Sequence, residues 1–317
     1  MRLLIVGAGA TGAFFGARLA QAGRDVSFLV RPARAEQIRK DGLRILSPHG
    51  DFTQAATVLT RDQLTAPFNA VLVTVKAYAL DQALDDMAPA VGPNTLLLST
   101  LNGMKHLDRM AERFSPAHVG GCVCKIESTV DDQGRIVQFS KINDMIYGEL
   151  DGQDSERIRR LDAVMQGAGF DARLSKDIRR TLWEKWTLLA SLGSINCLGR
   201  GTIGEVVNTT GGLELIEHIL SEVVSSVRAN GGELDDAYVQ SIQRMLTNPN
   251  SKQTSSMYRD LQAGSAVEAE QIVGDLVARA HDKGVAVPLL QAAYTQLQVH
   301  QNRLRPRSAA PTPLAKD

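Results

Sequence analysis

The chain has 317 residues, 44% of them hydrophobic and 22% charged, which is enough for two domains, each with a buried core. Lys+Arg and Asp+Glu balance at 35 each, so no overall field argues for nucleic acid or for an anionic membrane surface as a partner. The three cysteines, Cys122, Cys124 and Cys197, form no C-x-x-C pair, so neither a disulfide framework nor a zinc site is indicated, which suits a reducing cytoplasm.

The first crossover sets the expectations for everything after it. Leu3 to Val6 reads as a buried parallel strand, and Gly7-Ala8-Gly9-Ala10-Thr11-Gly12 follows at G-x-G-x-x-G spacing before an alanine-rich helix. Gly7 permits a sharp turn, Gly9 lets backbone approach a pyrophosphate, and Gly12 allows close helix packing. The amide groups at the helix start, backed by its dipole, then face the phosphates. Residues 2–22 also look superficially like a signal peptide ending in Ala20-Gln-Ala22. Glycines interrupt that apolar run and cleavage would destroy the fingerprint, so the segment is read as part of the fold.

Asp25 to Val30 reads as the second strand. An NAD enzyme usually places an acidic residue after it, to accept from the ribose 2′-hydroxyl. Arg31-Pro-Ala-Arg34 stands there instead, and a guanidinium grips a 2′-phosphate by charge-assisted hydrogen bonds. The cofactor read from this is NADP(H), with Arg31 as main contact and Arg34 as a lesser one. Leu43 to Leu46 and Phe52 to Leu59 flank a Ser-Pro-His-Gly-Asp hairpin turn. Ala70 to Val75 is a buried strand ending at Lys76, and Thr95 to Ser99 is another, followed by Asn102-Gly103-Met104. Ligands of open parallel sheets sit beyond the carboxyl ends of the strands, so Lys76 and Asn102 are expected beside the nicotinamide, the alternative for Lys76 being a merely solvated strand-end charge.

Residues 117–148 read as short strands broken at Asp131 to Gly134 and at Asn143-Asp144. Ser155 to Gly167 then reads as a helix and Gly169 to Leu174 as a closing strand. Strand signals end at Ser175. The expected division is a dinucleotide-binding domain over 1–175, a helical domain over 176–302 and a disordered tail over 303–317.

The helical domain opens with an apolar stripe of Ile178, Leu182, Lys185, Leu189 and Leu192, ending at Asn196. An ammonium is expensive in mid-stripe. A lysine so placed is a proton donor to a carbonyl oxygen as hydride reaches the carbon, or else it snorkels from the edge of a core helix. Ser255-Ser256-Met257 opens a further helical region, and Glu268 falls in a helix running to Gly284, whose apolar face is core or dimer interface. The six histidines are scattered without metal-ligand spacing and receive no role, and no metal site is expected.

Together these residues resemble the ketopantoate reductase (2-dehydropantoate 2-reductase) family, in order along essentially the whole chain. The anchors are Gly7 to Gly12, Arg31, Val75-Lys76-Ala77, Asn102-Gly103-Met104, Leu182-Trp-Glu-Lys185, Ser255-Ser256-Met257 and Glu268. The resemblance implies a Rossmann-type α/β domain followed by an all-α domain like the C-terminal domain of 6-phosphogluconate dehydrogenase. It implies reduction of ketopantoate to (R)-pantoate in pantothenate biosynthesis with NADPH; the expected location is cytoplasmic, and a homodimer is a candidate assembly. Lys185 would be the proton donor, Ser256 a substrate contact, and Glu268 a residue ordering site and cofactor. Substrate would lie between the domains, beside Lys76 and Asn102. Family members carry asparagines four, eight and eighteen residues after the catalytic lysine, where this chain has Leu189, Gly193 and Ile203. Asn196 and Arg200 share the helical side of Lys185 and are expected to compensate, Arg200 by clamping a carboxylate. The alternatives are a reductase of a more apolar 2-oxo acid, and a non-catalytic NADP(H) sensor.

Overall fold

The computed structural model describes residues 1–304. The chain starts as strand β1 (Leu3–Val6), helix α1 (Ala10–Gln21), β2 (Val26–Leu29), α2 (Pro32–Asp41), β3 (Leu43–Leu46), β4 (Phe52–Gln54) and β5 (Thr57–Leu59). It continues as β6 (Ala70–Val73), α3 (Leu80–Met87), β7 (Leu96–Ser99) and α4 (Lys105–Phe114). A long hairpin of β8 (Gly120–Val130) and β9 (Ile136–Glu149) follows, then α5 (Glu156–Met165) and β10 (Asp171–Leu174).

β1, β2, β6 and β7 are buried at every position. Continuous apolar runs of that kind belong to a parallel sheet covered on both faces. They lie in the order β5-β2-β1-β6-β7, all pairs parallel, the doubly wound arrangement that leaves the centre in one direction and then fills the other side. A second sheet has the order β10-β9-β3-β4, with β8 paired to β9. α1 is buried from Gly12 to Leu19, so it has no polar face and needs cover all round. Phe15, at its middle, stacks edge-to-face on both Phe14 and Phe170, with ring centroids 5.3 and 5.0 Å apart.

Two expectations need correction here. Phe52 to Leu59 is not one hairpin strand: β4 pairs antiparallel with β3, whereas β5 joins the main sheet beside β2. Val58, the buried apolar residue of that stretch, draws it there. Asn143-Asp144 does not interrupt its strand either. Asn143 is buried with its amide donating to the Gly169 carbonyl at 3.3 Å, and Asp144 pairs with Arg173 of β10. Tertiary partners satisfy the polar side chains, so the strand runs through.

From residue 178 the described chain is helical. α6 (Ile178–Gly199), α7 (Ile203–Val207), α8 (Gly212–Ala229), α9 (Asp236–Leu246) and α10 (Ser256–Gln262) precede a π-helical turn at Glu270–Gly274, which leads into α11 (Asp275–Asp282). α12 (Pro288–Leu304) ends the described residues. It includes Arg303 and Leu304, and the rest of the expected tail lies outside the described residues. The chain divides into two compact units, Met1–Lys185 and from Trp186 onward, with the division inside α6. The first is a parallel-sheet unit and the second a helical one. The apolar face of the segment after residue 266 is filled within the chain, since Val267, Ile272, Val273, Leu276 and Ala280 are all buried in it. No described helix is long and apolar enough to cross a membrane.

Candidate active site

Each fingerprint glycine has its own physical reason. Gly7 takes a φ of +96°, which a side chain rarely adopts. A Cβ on Gly12 would stand 2.1 Å from Thr74 Oγ1 and 2.4 Å from the Gly7 carbonyl oxygen. Thr74 in turn donates to the carbonyls of Val6 and Gly7 at 3.0 and 2.9 Å, so the turn, α1 and the end of β6 lock together. Gly9 differs: a Cβ there would meet nothing within 4 Å. Space at the start of α1, whose amides have no side-chain cap, fits a pyrophosphate. Ala8 is buried under the turn, and Ala10 and Thr11 form the first residues of the helix.

A cavity of about 450 Å³ opens at this turn, lined by Gly7, Ala8, Gly9, Arg31 and the β8–β9 hairpin tip at Asp131, Asp132 and Gly134. A second, of about 220 Å³, lies on the other side of Arg31, against Thr60, Arg61 and Asp86. Arg31 is exposed and lines both. Arg34 is used otherwise. Its guanidinium donates to Gln37 Oε1 at 2.6 Å, to the Gly134 carbonyl at 3.3 Å and to the Ala8 carbonyl at 3.2 Å. It ties the hairpin tip to the glycine turn, a link across 100 residues that the sequence reading missed.

At the carboxyl edge of the main sheet, Lys76 is exposed beyond β6 and Asn102 half-buried beyond β7. β8 enters beside β7, where Leu97 bridges Val119 in parallel, and runs on past the end of β7. Cys124 of β8 therefore lies at that same edge, and its carbonyl accepts a hydrogen bond of 2.9 Å from Lys185 Nζ. Lys185 is half-buried, while Ile178, Leu182 and Leu192 of its stripe are buried. His106, in the first turn of α4, is fully buried. Burial, and the nearby Lys185 ammonium, lower its pKa from 6.5 to about 3. Burial also pushes the Cys122 thiol up, and the Cys124 thiol up to about 12, although Lys185 opposes both. The surroundings of the ammonium therefore hold a neutral imidazole and two neutral thiols.

In the helical unit, Asn196 is fully buried. Its amide donates to the Gly201 carbonyl at 2.9 Å and to that of Gln253 at 3.4 Å, and its oxygen accepts from Ser255 N at 2.8 Å. The side chain braces the approach to α10 and is spent there, contrary to the expected substrate contact. Arg200 is exposed and closes α6 in the left-handed region, at φ 57°. Ser256 is exposed at the first position of α10, whose cap is Ser255. Glu268 lies not within a helix but just before one, its carbonyl accepting from Ile272 N at 3.2 Å. The helix it introduces begins with the π turn, whose Ile272 carbonyl accepts from Trp186 Nε1 at 2.8 Å. Among the described residues no group of histidine, cysteine or carboxylate side chains could hold a metal ion.

Residues 3–152 match the family described as "Ketopantoate reductase PanE/ApbA", and residues 177–301 match "Ketopantoate reductase PanE/ApbA C terminal". The chain belongs to the ketopantoate reductase family. It is 32% identical to the uncharacterized oxidoreductase YkpB of Bacillus subtilis, over 95% of this chain and 99% of that one. A 2-dehydropantoate 2-reductase from Methylococcus capsulatus superposes with a TM-score of 0.85 at 26% identity, covering 96% of this chain and 97% of that one. D-mandelate dehydrogenase, solved with NADH and anilino(oxo)acetate, shares the fold, with a TM-score of 0.82, 19% identity and coverage of 96% and 99%.

A ketopantoate reductase is thus an oxidoreductase scaffold, and the departures of this chain from the family pattern have structural counterparts. A Cβ on Gly193 would stand 2.5 Å from Met257 Cε, so the methionine occupies the room a side chain would need. Ile203 is fully buried and Leu189 half-buried. His106 was passed over in the sequence, yet it was legible. With Leu107 and Met110 it forms the buried face of α4, and a polar residue in an apolar stripe is the same signal that singled out Lys185.

Proposed function

We propose that the chain is an NADPH-dependent reductase of a 2-oxo acid, converting ketopantoate to (R)-pantoate for pantothenate biosynthesis in the cytoplasm. The observation that carries this reading is Lys185, held on Cys124 at the carboxyl edge of a sheet whose glycine turn and Arg31 fit a phosphorylated dinucleotide. The start of α1 receives the pyrophosphate, with Gly9 leaving the space, and Arg31 pairs with the 2′-phosphate. When bound, the nicotinamide supplies hydride to the carbonyl carbon. Lys185 donates an N–H hydrogen bond to the ketone oxygen, gives up that proton as the oxygen gains charge, and regains one from solvent. Lys76 and Asn102 are assigned to the nicotinamide and substrate, Ser256 and Arg200 to the substrate, and Glu268 to ordering the site.

A second reading, a bulkier or more apolar 2-oxo acid on the same machinery, is favoured by Leu189, by Met257 in the space beside Gly193, and by the fold shared with D-mandelate dehydrogenase. NADPH oxidation with ketopantoate beside benzoylformate and branched 2-oxo acids separates the two. Ketopantoate is expected to give the highest kcat/KM, and turnover confined to the other acids would overturn that assignment. Lys185→Ala is expected to bind NADPH normally and lose about 10²- to 10⁴-fold in kcat. Binding without turnover of any acid by the unaltered chain would leave a sensor.

A further inference from the structure

Arg34 stands third in α2, in the first turn, where a cation opposes the helix dipole and no acidic residue offsets it. Helix stability therefore does not account for it. Its guanidinium donates to Gln37 Oε1 of its own helix at 2.6 Å, to the Gly134 carbonyl at the hairpin tip at 3.3 Å, and to the Ala8 carbonyl in the glycine turn at 3.2 Å. The last bond decides the direction of a neighbouring donor. No peptide bond in the described residues is cis, and across a planar trans peptide the carbonyl and the following N–H point in opposite directions. With the Ala8 carbonyl turned towards Arg34, the Gly9 N–H is turned away from it. A Cβ on Gly9 would meet nothing within 4 Å, and α1, which begins one residue later, has no side-chain cap, so the backbone here is open to an incoming group.

We propose that Arg34 is a positioning residue for the pyrophosphate: from behind the turn it holds the Ala8–Gly9 peptide so that the Gly9 N–H is aimed at a phosphate oxygen before the dinucleotide arrives. The bond also polarises that peptide, since a cation on the carbonyl makes the N–H across the same amide a stronger donor. A glycine needs such holding, because without a Cβ its backbone has more conformations open to it than any other residue. Arg34 thus serves the phosphates common to NADH and NADPH, whereas Arg31 is assigned to the 2′-phosphate. A lysine would do this less well. Separate nitrogens of one planar fork reach the Ala8 and Gly134 carbonyls, and a single ammonium has no such fork.

The inference rests on the glycine turn receiving the pyrophosphate, and calorimetric titration of the full-length protein separates the two. Arg34→Met removes the guanidinium and keeps an unbranched chain. Its Kd is expected to rise about 10-fold for NADPH and by the same factor for NADH, so that the ratio of the two stays at the wild-type value. In 15N-glycine-labelled protein, the Gly9 amide proton is expected downfield in the wild-type NADPH complex and further upfield in that of the variant, a signature that packing alone would not produce. Should Arg34→Met fail to fold, Arg34→Lys carries the same expectation. Arg44→Ala, which loosens the hold on the Gln133 carbonyl at the hairpin tip without touching Ala8, is expected to leave both Kd values within about twofold. Unchanged Kd values in Arg34→Met, or a rise confined to NADPH, would overturn the proposal, the latter by putting Arg34 on the 2′-phosphate. An equal rise in Arg44→Ala would overturn it too, leaving Arg34 a brace for the hairpin. If the unaltered protein binds neither dinucleotide, the pyrophosphate site itself fails. If it binds both and Arg34→Met binds them as tightly, only the positioning role fails.

Discussion

Arg31 and His106 are the single residues whose exchange has the plainest measurable consequence. Arg31 is exposed between two cavities at the fingerprint turn. Charge-assisted hydrogen bonds are worth about 1.5–3 kcal/mol, so Arg31→Ala is expected to raise the Kd for NADPH about 10- to 100-fold and leave that for NADH near its starting value, by calorimetric titration. His106 bears on stability through its neutrality. In the unfolded chain its ring titrates near 6.5, and in the folded chain only at about 3. Protons therefore favour the unfolded state between those values. The stability contribution is fully present above about pH 6.5 and is lost as pH falls towards 3, at no more than ~1.4 kcal/mol per pH unit. The melting temperature is expected to drop less steeply from about pH 7 to about pH 5 in His106→Phe than in the wild type. Local structure that depends on neighbours in sequence was readable from it: the turn at Gly7 and the close packing at Gly12 by spacing, and the half-buried place of Lys185 by its stripe. Asn196 was not, because what occupies it is Ser255, 59 positions away.

At the level of elements, the β8–β9 hairpin matters most to the cavity at the glycine turn. Its tip forms one wall, and Arg34 and Gln37 of α2 hold it there, Gln37 Nε2 donating to the Gln133 carbonyl at 3.4 Å. Gly134 is required at the tip, since its φ is +73° and a Cβ would stand 2.1 Å from Gln37 Nε2. Arg34→Ala is expected to speed hydrogen exchange in peptides covering residues 128–136 and leave the central strands unchanged. Faster exchange everywhere would mean that the arginine supports the whole unit. The alternation of strand and helix made β1, β2, β6 and β7 legible, because each is a short apolar run, whereas β5 read as part of a hairpin. The second sheet was not, because β3 and β9 meet across some ninety residues of sequence. Asn143 and Asp144 look like breakers until their partners on Gly169 and Arg173 are seen.

For the molecule as a whole, the two units have different claims on ligand binding. The glycine turn, Arg31, Asn102 and Lys185 all belong to the first, Met1–Lys185. A ligand that binds only the folded form stabilises it by about 2.7 kcal/mol at a hundred times its Kd. NADPH at that excess is therefore expected to raise the thermal transition of this unit, read by scanning calorimetry, and Arg31→Ala, with its 10- to 100-fold higher Kd, to cut the stabilisation at the same concentration to about 0.4–1.4 kcal/mol. Equal shifts with NADH and NADPH would argue against a 2′-phosphate contact.

Cys122, Cys124 and Cys197 are the chain's three thiols, all of them buried and all raised by burial. The protein is thus expected to be silent towards maleimides and iodoacetamide in its folded form. Tyr78 stands 75% exposed two residues past Lys76, at the rim where the nicotinamide is expected. A single Tyr78→Cys exchange would place one addressable handle there, and a fluorophore on it would report each arrival of the dinucleotide without first stripping any native cysteine.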